Sequence, residues 1–207
     1  MRAAFVFAFC ICSLAQGLDF SDAPIEEVCE ALSRAFGENV KPAEELTKLK
    51  VTAKLKGSFL QALYELCSQA RVRPVFSTFS NEIELHPYNG RLPVFVADGY
   101  AVQLNSLSLQ SVTDFQESHK DMLVNCVLAW ERGSAPLVLN DFPLLVEAVD
   151  SKGVKLLQKG HEDSSTVLYN KPVNSFASYL HLTHPSAGAD CNVFRCGALR
   201  AHSRNQQ

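Results

Sequence analysis

Apolar residues alternate at Leu18 and Phe20, then change to spacings of three, four and four at Ile25, Val28, Leu32 and Phe36. Alternation is the mark of a strand with one buried face, and the longer spacing that of one face of a helix. Ser21-Asp22-Ala23-Pro24 separates the two patterns. Proline suits the first helical turn, where its missing N–H would have no partner. Glu26 and Glu27 then lie at the positive end of the helix dipole, and Gly37 stops the helix. Residues 18–37 therefore read as strand, turn and amphipathic helix.

The unit recurs. Leu49, Val51, Ala53 and Leu55 alternate with lysines and a threonine across Lys48–Lys56, which predicts a second strand. Gly57 turns the chain into Ser58-Phe59-Leu60-Gln61, a capping box in which serine and glutamine side chains satisfy backbone donors at the helix start. Phe59, Ala62, Leu63, Leu66 and Ala70 form the apolar stripe of this second helix. Strands are then expected at Pro74–Phe79 and Glu82–His86, joined by Ser80-Asn81.

Beyond Leu92 the helical period is lost. Tyr100–Gln110 alternates in two phases, with Val102 and Leu104 in one and Leu107 and Leu109 in the other. The slip at Asn105-Ser106 predicts a β-bulge or bend. Met122, Val124, Cys126, Leu128 and Trp130 alternate without a break, with Trp130 expected in the core. Leu144–Ala148 continues the pattern, and Asp150-Ser151-Lys152-Gly153 makes a hairpin turn into Val154–Leu157. Further strands are expected at Val167–Tyr169 and Phe176–Leu182, and a weaker one within Cys191–Leu199. The fold class is α+β: a small two-helix module with a doubled βαβ-type unit over 18–88, then an all-β, immunoglobulin-like sandwich over 92–185. Residues 186–207 end in a polar stretch expected to be weakly ordered.

The first module resembles a known family. Leu18-Asp19-Phe20 through Ala31-Leu32, then Val51-Thr52-Ala53-Lys54-Leu55-Lys56-Gly57-Ser58-Phe59 and Gln61-Ala62-Leu63, are similar to the secretin and TonB short N-terminal domain. The resemblance covers roughly residues 18–87 and rests on order, spacing and both Ala-Leu pairs. It implies a small periplasmic or envelope domain that docks other proteins. No plug, barrel strands or further secretin modules accompany it, so only the docking idea carries over. Ala129-Trp130-Glu131-Arg132 followed by Asp150–Gly153 is also similar to a pairing found in uncharacterised exported bacterial proteins.

The N-terminus supports export. One charge at Arg2, the apolar run Ala3–Leu14 and the small-x-small triplet Ala15-Gln16-Gly17 match a secretory signal over residues 1–17. That run falls short of the roughly 20 apolar residues needed to span a bilayer, and no later stretch reaches that length. Loss of Arg2 alone moves the net charge from −3 to −4. Mild acidity without a basic cluster excludes an electrostatic footprint for nucleic acid. The expected location is the periplasm or cell envelope, with one or more envelope proteins as partners.

Five cysteines remain after the signal: Cys29, Cys67, Cys126, Cys191 and Cys196. The first three lie within apolar patterns, where a thiol behaves as a small hydrophobe. Cys191 and Cys196 are candidates for a bridge, for lone thiols, or with His184 or His202 for zinc. His181 and His184 fall on opposite faces of a strand and cannot share a metal there. Neither a Gly-x-Ser-x-Gly elbow nor a His-Glu-x-x-His helix is present. Cys126 is in phase with Val124 and Leu128 and reads as core, while Asp141, Glu147, Asp150 and Glu162 read as turn or solvent-face carboxylates. No catalytic, cofactor-binding or metal-binding residue is expected. The reading is a non-catalytic envelope binding or scaffold protein. Alternatives are an exported hydrolase or metal-using enzyme acting from the sandwich, or a piece of a larger envelope protein.

Overall fold

The computed structural model describes residues 17–77, 80–97, 99–113, 118–132, 134, 138–140, 145–159, 165–167, 175–183, 185 and 191–196. Residues 1–16, which hold most of the expected signal, and the polar end after 196 lie outside the described residues. Among the described residues, two α-helices and many strands in mixed sheets make the fold α+β and mostly β.

β1 (Leu18–Pro24) leads into α1 (Ile25–Phe36), as the change of period predicts. Glu26 and Glu27 occupy the first turn of α1, and Gly37 ends it in the left-handed conformation at φ 71, donating its N–H to the Ser33 carbonyl. β3 (Lys50–Leu55) pairs antiparallel with β1. Val51, Ala53 and Leu55 are buried and the intervening residues are exposed. The register slips between Phe20 and Ala23, where Asp22 takes φ 51 and its N–H donates to Thr52 Oγ1 at 3.0 Å.

α2 (Phe59–Ala70) starts at the expected capping box, and the Ser58 N–H donates to Gln61 Oε1 at 3.0 Å. The chain then forms β4 (Val72–Phe76) and β5 (Glu82–Pro87), an antiparallel hairpin whose first strand begins and ends earlier than the expected Pro74–Phe79. Residues 78 and 79 lie outside the described residues. β2 (Asn39–Pro42) runs parallel to β5 and completes a three-stranded sheet of order β2-β5-β4.

The second segment is built on a four-stranded antiparallel sheet of order β12-β8-β7-β6. Its strands are β6 (Val94–Ala97), β7 (Tyr100–Thr113), β8 (Ser118–Trp130) and β12 (Ser175–Thr183). β7 and β8 slip register between Leu104 and Ser106, so Asn105 is the extra residue of the expected bulge. The bulge lets Leu107 and Leu109 oppose Val124 and Met122, on the face that also carries Leu104. That face packs Met122, Val124, Leu180 and Leu182 against Ala148 and Leu156. Ala148 belongs to β10 (Leu145–Asp150), which pairs with β13 (Cys191–Cys196); β9 (Val138–Asn140) pairs with β11 (Ser165–Val167). The Asp150–Gly153 hairpin forms as predicted, with Gly153 at φ 78 and the Asp150 N–H donating to the Val154 carbonyl at 2.9 Å.

The two segments meet in one core. Ala101 and Ala129, on the opposite face of the large sheet, join the cluster formed by Val28, Leu32, Leu63 and Leu66, with Leu92, Val94 and Val96 packed at its margin. α2 accordingly buries Leu60, Tyr64 and Cys67 as well as its expected stripe. At 100° per residue these three lie beside that stripe and widen the apolar arc to about 200°. A helix apolar over so wide an arc has partners on two sides, which one stripe alone does not show.

Gly57 is held at φ +86, and a Cβ there would lie 2.0 Å from Gln61 Oε1. Gly57→Ala is expected to lower stability by about 1–3 kcal/mol, through the left-handed conformation and the displaced capping glutamine. Gly153→Ala, at φ +78 with nothing within 4 Å, is expected to lose less. Urea midpoints of the two variants measure the difference.

Candidate docking surface

The junction of the segments is polar as well as apolar. Glu131, just past the end of β8, brings Oε1 to 2.9 Å from the Leu60 N–H, which donates to it. Leu60 is the second residue of α2, so the carboxylate caps a backbone donor left open by the helix start and sits at the positive end of its dipole. One turn on, Tyr64 donates its hydroxyl proton to Gln103 Oε1 at 3.0 Å, and Gln103 Nε2 donates to Asn105 Oδ1 at 2.6 Å. The bulge residue is thereby tied to α2 through Gln103, itself only 2% exposed. Burial pushes the Tyr64 hydroxyl pKa up, so it remains a proton donor. Beside this junction Phe36, Glu38, Gly57, Ser58, Phe59, Glu131 and Arg132 line an open cleft of about 460 Å3.

The outer face of the β2-β5-β4 sheet is charged and paired. Lys41 Nζ lies 2.8 Å from Glu82 and 3.9 Å from Glu84, and His86 Nε2 lies 2.9 Å from Glu84 Oε2. Val75, at 40% exposure, adds an apolar spot to the same face. The edges of this sheet are less open than the hairpin alone implies. Ser77 donates to Glu82 and Tyr88 to Arg71, which fixes the hydrogen-bonding phase of the hairpin and turns the backbone of position 74 outward. Proline there offers no N–H, so an added strand would miss a bond. On β2 the outward N–H and carbonyl of Val40 are both bonded to the Ser33 hydroxyl, at 3.0 and 3.2 Å. Strand addition at the Pro74–His86 hairpin, the natural expectation for an exposed β-hairpin, is disfavoured by these two devices.

The reactive candidates are spread apart or committed to structure. Cys29, Cys67 and Cys126 are buried. Burial, with a smaller contribution from Glu26, pushes Cys29 up to about 12, and burial also raises Cys67. Neither carries the thiolate that nucleophilic chemistry needs. Cys191 and Cys196 are five residues apart on β13, whose backbone alone is described there. A strand rises about 3.3 Å per residue, which sets their Cα atoms roughly 16 Å apart. A disulfide needs them within about 7 Å, so the bridge and the shared zinc site both fail on that strand. Asp150 is buried, and its Oδ1 accepts the N–H groups of Lys152 and Val154 at 2.9 and 2.8 Å, a turn-forming role. The side chains of Glu147 and His119, and all of Asp141, Glu162, His161, His184 and His202, lie outside the described residues.

One ionic cluster went unrecognised in the sequence. Asp121 on β8 is bonded by Lys159 through Oδ1 and faces His181 Nε2 at 3.0 Å through Oδ2. Thr183↔Asp121 and Leu123↔His181 pairing sets the carboxylate and imidazole on one face, and the Lys159 N–H donates to the His181 carbonyl, which brings the lysine in. These residues are 38 and 60 positions from Asp121 or more than twenty from each other, so no local spacing announces them. The cluster ties residues 157–159 to the outer edge of β12. Among the described residues no three His, Cys, Asp or Glu side chains gather as a metal site, and no helix is long and apolar enough to cross a membrane. Comparisons with family models, curated proteins and solved structures find no match.

Glu131→Ala is expected to cost about 1–2 kcal/mol and Glu131→Gln less, because the amide keeps an acceptor for Leu60. Since the core is shared, Trp130 fluorescence and helical circular dichroism should report one coincident unfolding transition in each variant.

The Lys159 hydrogen bond, then His181, holds the Asp121 carboxyl below its ordinary value. A depressed folded pKa stabilises above the unfolded value of about 3.9 and is lost as pH falls through the folded one. Asp121→Asn should therefore be less stable than the parent at pH 6, with the gap closing below about pH 4. Urea midpoints from pH 3 to 7 test this.

Proposed function

We propose that the chain is an exported, non-catalytic binding or scaffold protein of the cell envelope, and that its first segment docks a protein partner. On this reading residues 1–17 are removed on export and the second segment closes as an immunoglobulin-like sandwich. The likeness of residues 18–87 to the secretin and TonB short N-terminal domain supports it. So does the placement of Ala31-Leu32 and Ala62-Leu63, one Ala-Leu pair on each helix of the doubled unit.

The observation that carries the docking proposal is the outer face of β2-β5-β4. Lys41, Glu82, Glu84 and His86 form a paired polar row across β2 and β5, with the exposed Val75 beside Glu84 on β4. Charge steers and orients a partner, and an apolar contact beside it adds affinity. The Glu131 cap and the Tyr64–Gln103 bond fix α2 to the second segment, and α2 packs against β4 of this sheet, so a partner held there is held relative to the second segment as well.

A photo-crosslinking residue at Val75, in the exporting host, is expected to capture an envelope protein. The same probe at Val154, exposed in the second segment, should not. The captured chain should begin at Leu18 by intact mass. A product retaining Met1 in the cytosol, or equal capture from both positions, overturns the proposal.

A further inference from the structure

Among the described residues, the outer edge of β7 is built unlike those of β4, β2 and β12. β4 presents Pro74 outward, β2 is sealed by Ser33, and the end of β12 is covered by residues 157–159, with Thr183 donating to Leu157 and Lys159 to His181. β6 covers β7 only as far as Gln103, with one further bond from Leu104 to Pro93. From Asn105 to Thr113 the strand reads Asn-Ser-Leu-Ser-Leu-Gln-Ser-Val-Thr, without charge, proline or glycine. Leu107 is 43% and Leu109 54% exposed, although their cross-strand neighbours Val124 and Met122 are fully buried core residues. Proteins ordinarily guard such an edge with charge, proline or a cover, as β4, β2 and β12 are guarded here.

The hydrogen-bonding phase shows what this edge can accept. Outward bonds at Leu104, His181 and Thr183, carried through the registers of β7, β8 and β12, turn the odd-numbered residues of β8 toward β7. Ser106, Ser108 and Gln110 then bond to β8, and Leu107, Leu109 and Ser111 direct their N–H and carbonyl groups outward.

We propose that this protein pairs with a second copy of itself, β7 against β7, antiparallel about a two-fold axis through Ser108. In that register Leu107 meets the second copy's Leu109 as a hydrogen-bonded pair, so outward groups face outward groups. Ser106 meets Gln110, Ser108 meets itself, and the pairing ends at Asn105 against Ser111, because Leu104 and Gln103 are already covered by Pro93 and Val94. Leucine lies against leucine and polar against polar on both sides of the axis, with no charge brought near a like charge. Such self-complementarity is what a two-fold interface requires of one surface. The four leucines extend the Met122–Val124–Leu180–Leu182 core across the axis, and the two large sheets become one of eight strands. A foreign strand would need only backbone groups; the palindromic pattern about Ser108 favours this chain as its own partner.

Light scattering of the purified protein across about 1–200 µM should show the mass rise from one chain to two. Leu109→Pro places at β7 the same outward proline that β4 has at 74, and should weaken the dimer at least tenfold while leaving the circular dichroism unchanged. Should that variant fail to fold, Leu107→Lys with Leu109→Lys serves in its place. Ser108→Cys on the axis falls at a non-hydrogen-bonded pair, whose Cα separation of about 4.5 Å permits a disulfide. It should cross-link under mild oxidation, and Phe95→Cys, exposed on the same sheet, should not. A single-chain mass throughout, cross-linking no better than the Phe95→Cys control, or a dimer unaffected by these edge variants overturns the proposal. So does protection of the Leu107, Leu109 and Ser111 amides from hydrogen exchange where the protein is monomeric, since the chain would then cover its own edge.

Discussion

The structure depends on α2 having two partners at once. One side of the helix lies on β3 and α1, and Leu60 and Tyr64 extend its buried surface toward the large sheet. Wrapping a helix this way removes apolar area from water on both sides, at about 25 cal/mol per Å2. It also takes solvent away from the helix start, where four N–H groups have no partner within the helix. Gln61 of α2 itself and Glu131 from the far segment meet two of the donors there, at Ser58 and Leu60. Helix, cap and sheet are therefore mutually dependent. The first segment is here one part of a larger packed body.

Much of this was legible where the signal is local. The capping box at Ser58–Gln61, the stop at Gly37, the Asp150–Gly153 turn and the bulge near Asn105 all depend on residues within a few positions of one another. The bulge could be read because a change of phase in an alternating strand has few other physical causes. What escaped reading is long-range. β2 is four residues with asparagine at one end and proline at the other, and it exists through parallel pairing with β5 over forty residues away. β6 is also four residues long and takes its order from β7. Leu60, Tyr64 and Cys67 form a second apolar stripe plainly visible in hindsight, yet a stripe says only that something covers it, and the bonds from Leu60 to Glu131 and from Tyr64 to Gln103 reach residues far along the chain.

The polar groups divide along the same line. Asp150 looked like a turn carboxylate and is one, with its own neighbours as donors. Asp121 gave no warning, because Lys159 and His181 reach it only once β12 has paired with β8 and residues 157–159, which precede β12 in the chain, lie along its edge. The cysteines on β13 show the opposite case: their spacing in sequence invites a bridge, and extended backbone keeps them apart. In each instance the strand ladder, more than the residue type, decides which groups can meet.

The buried thiols carry a last consequence. Burial pushes Cys29 up to about 12, which leaves little reactive thiolate at neutral pH. Cys67 is shielded in the same core. Oxidants and alkylating agents thus find little to attack while the helices stay docked, and both sulfurs become reactive when the core opens. The rate at which they are labelled is a clock for that opening, set by the protein's own composition and needing no introduced probe.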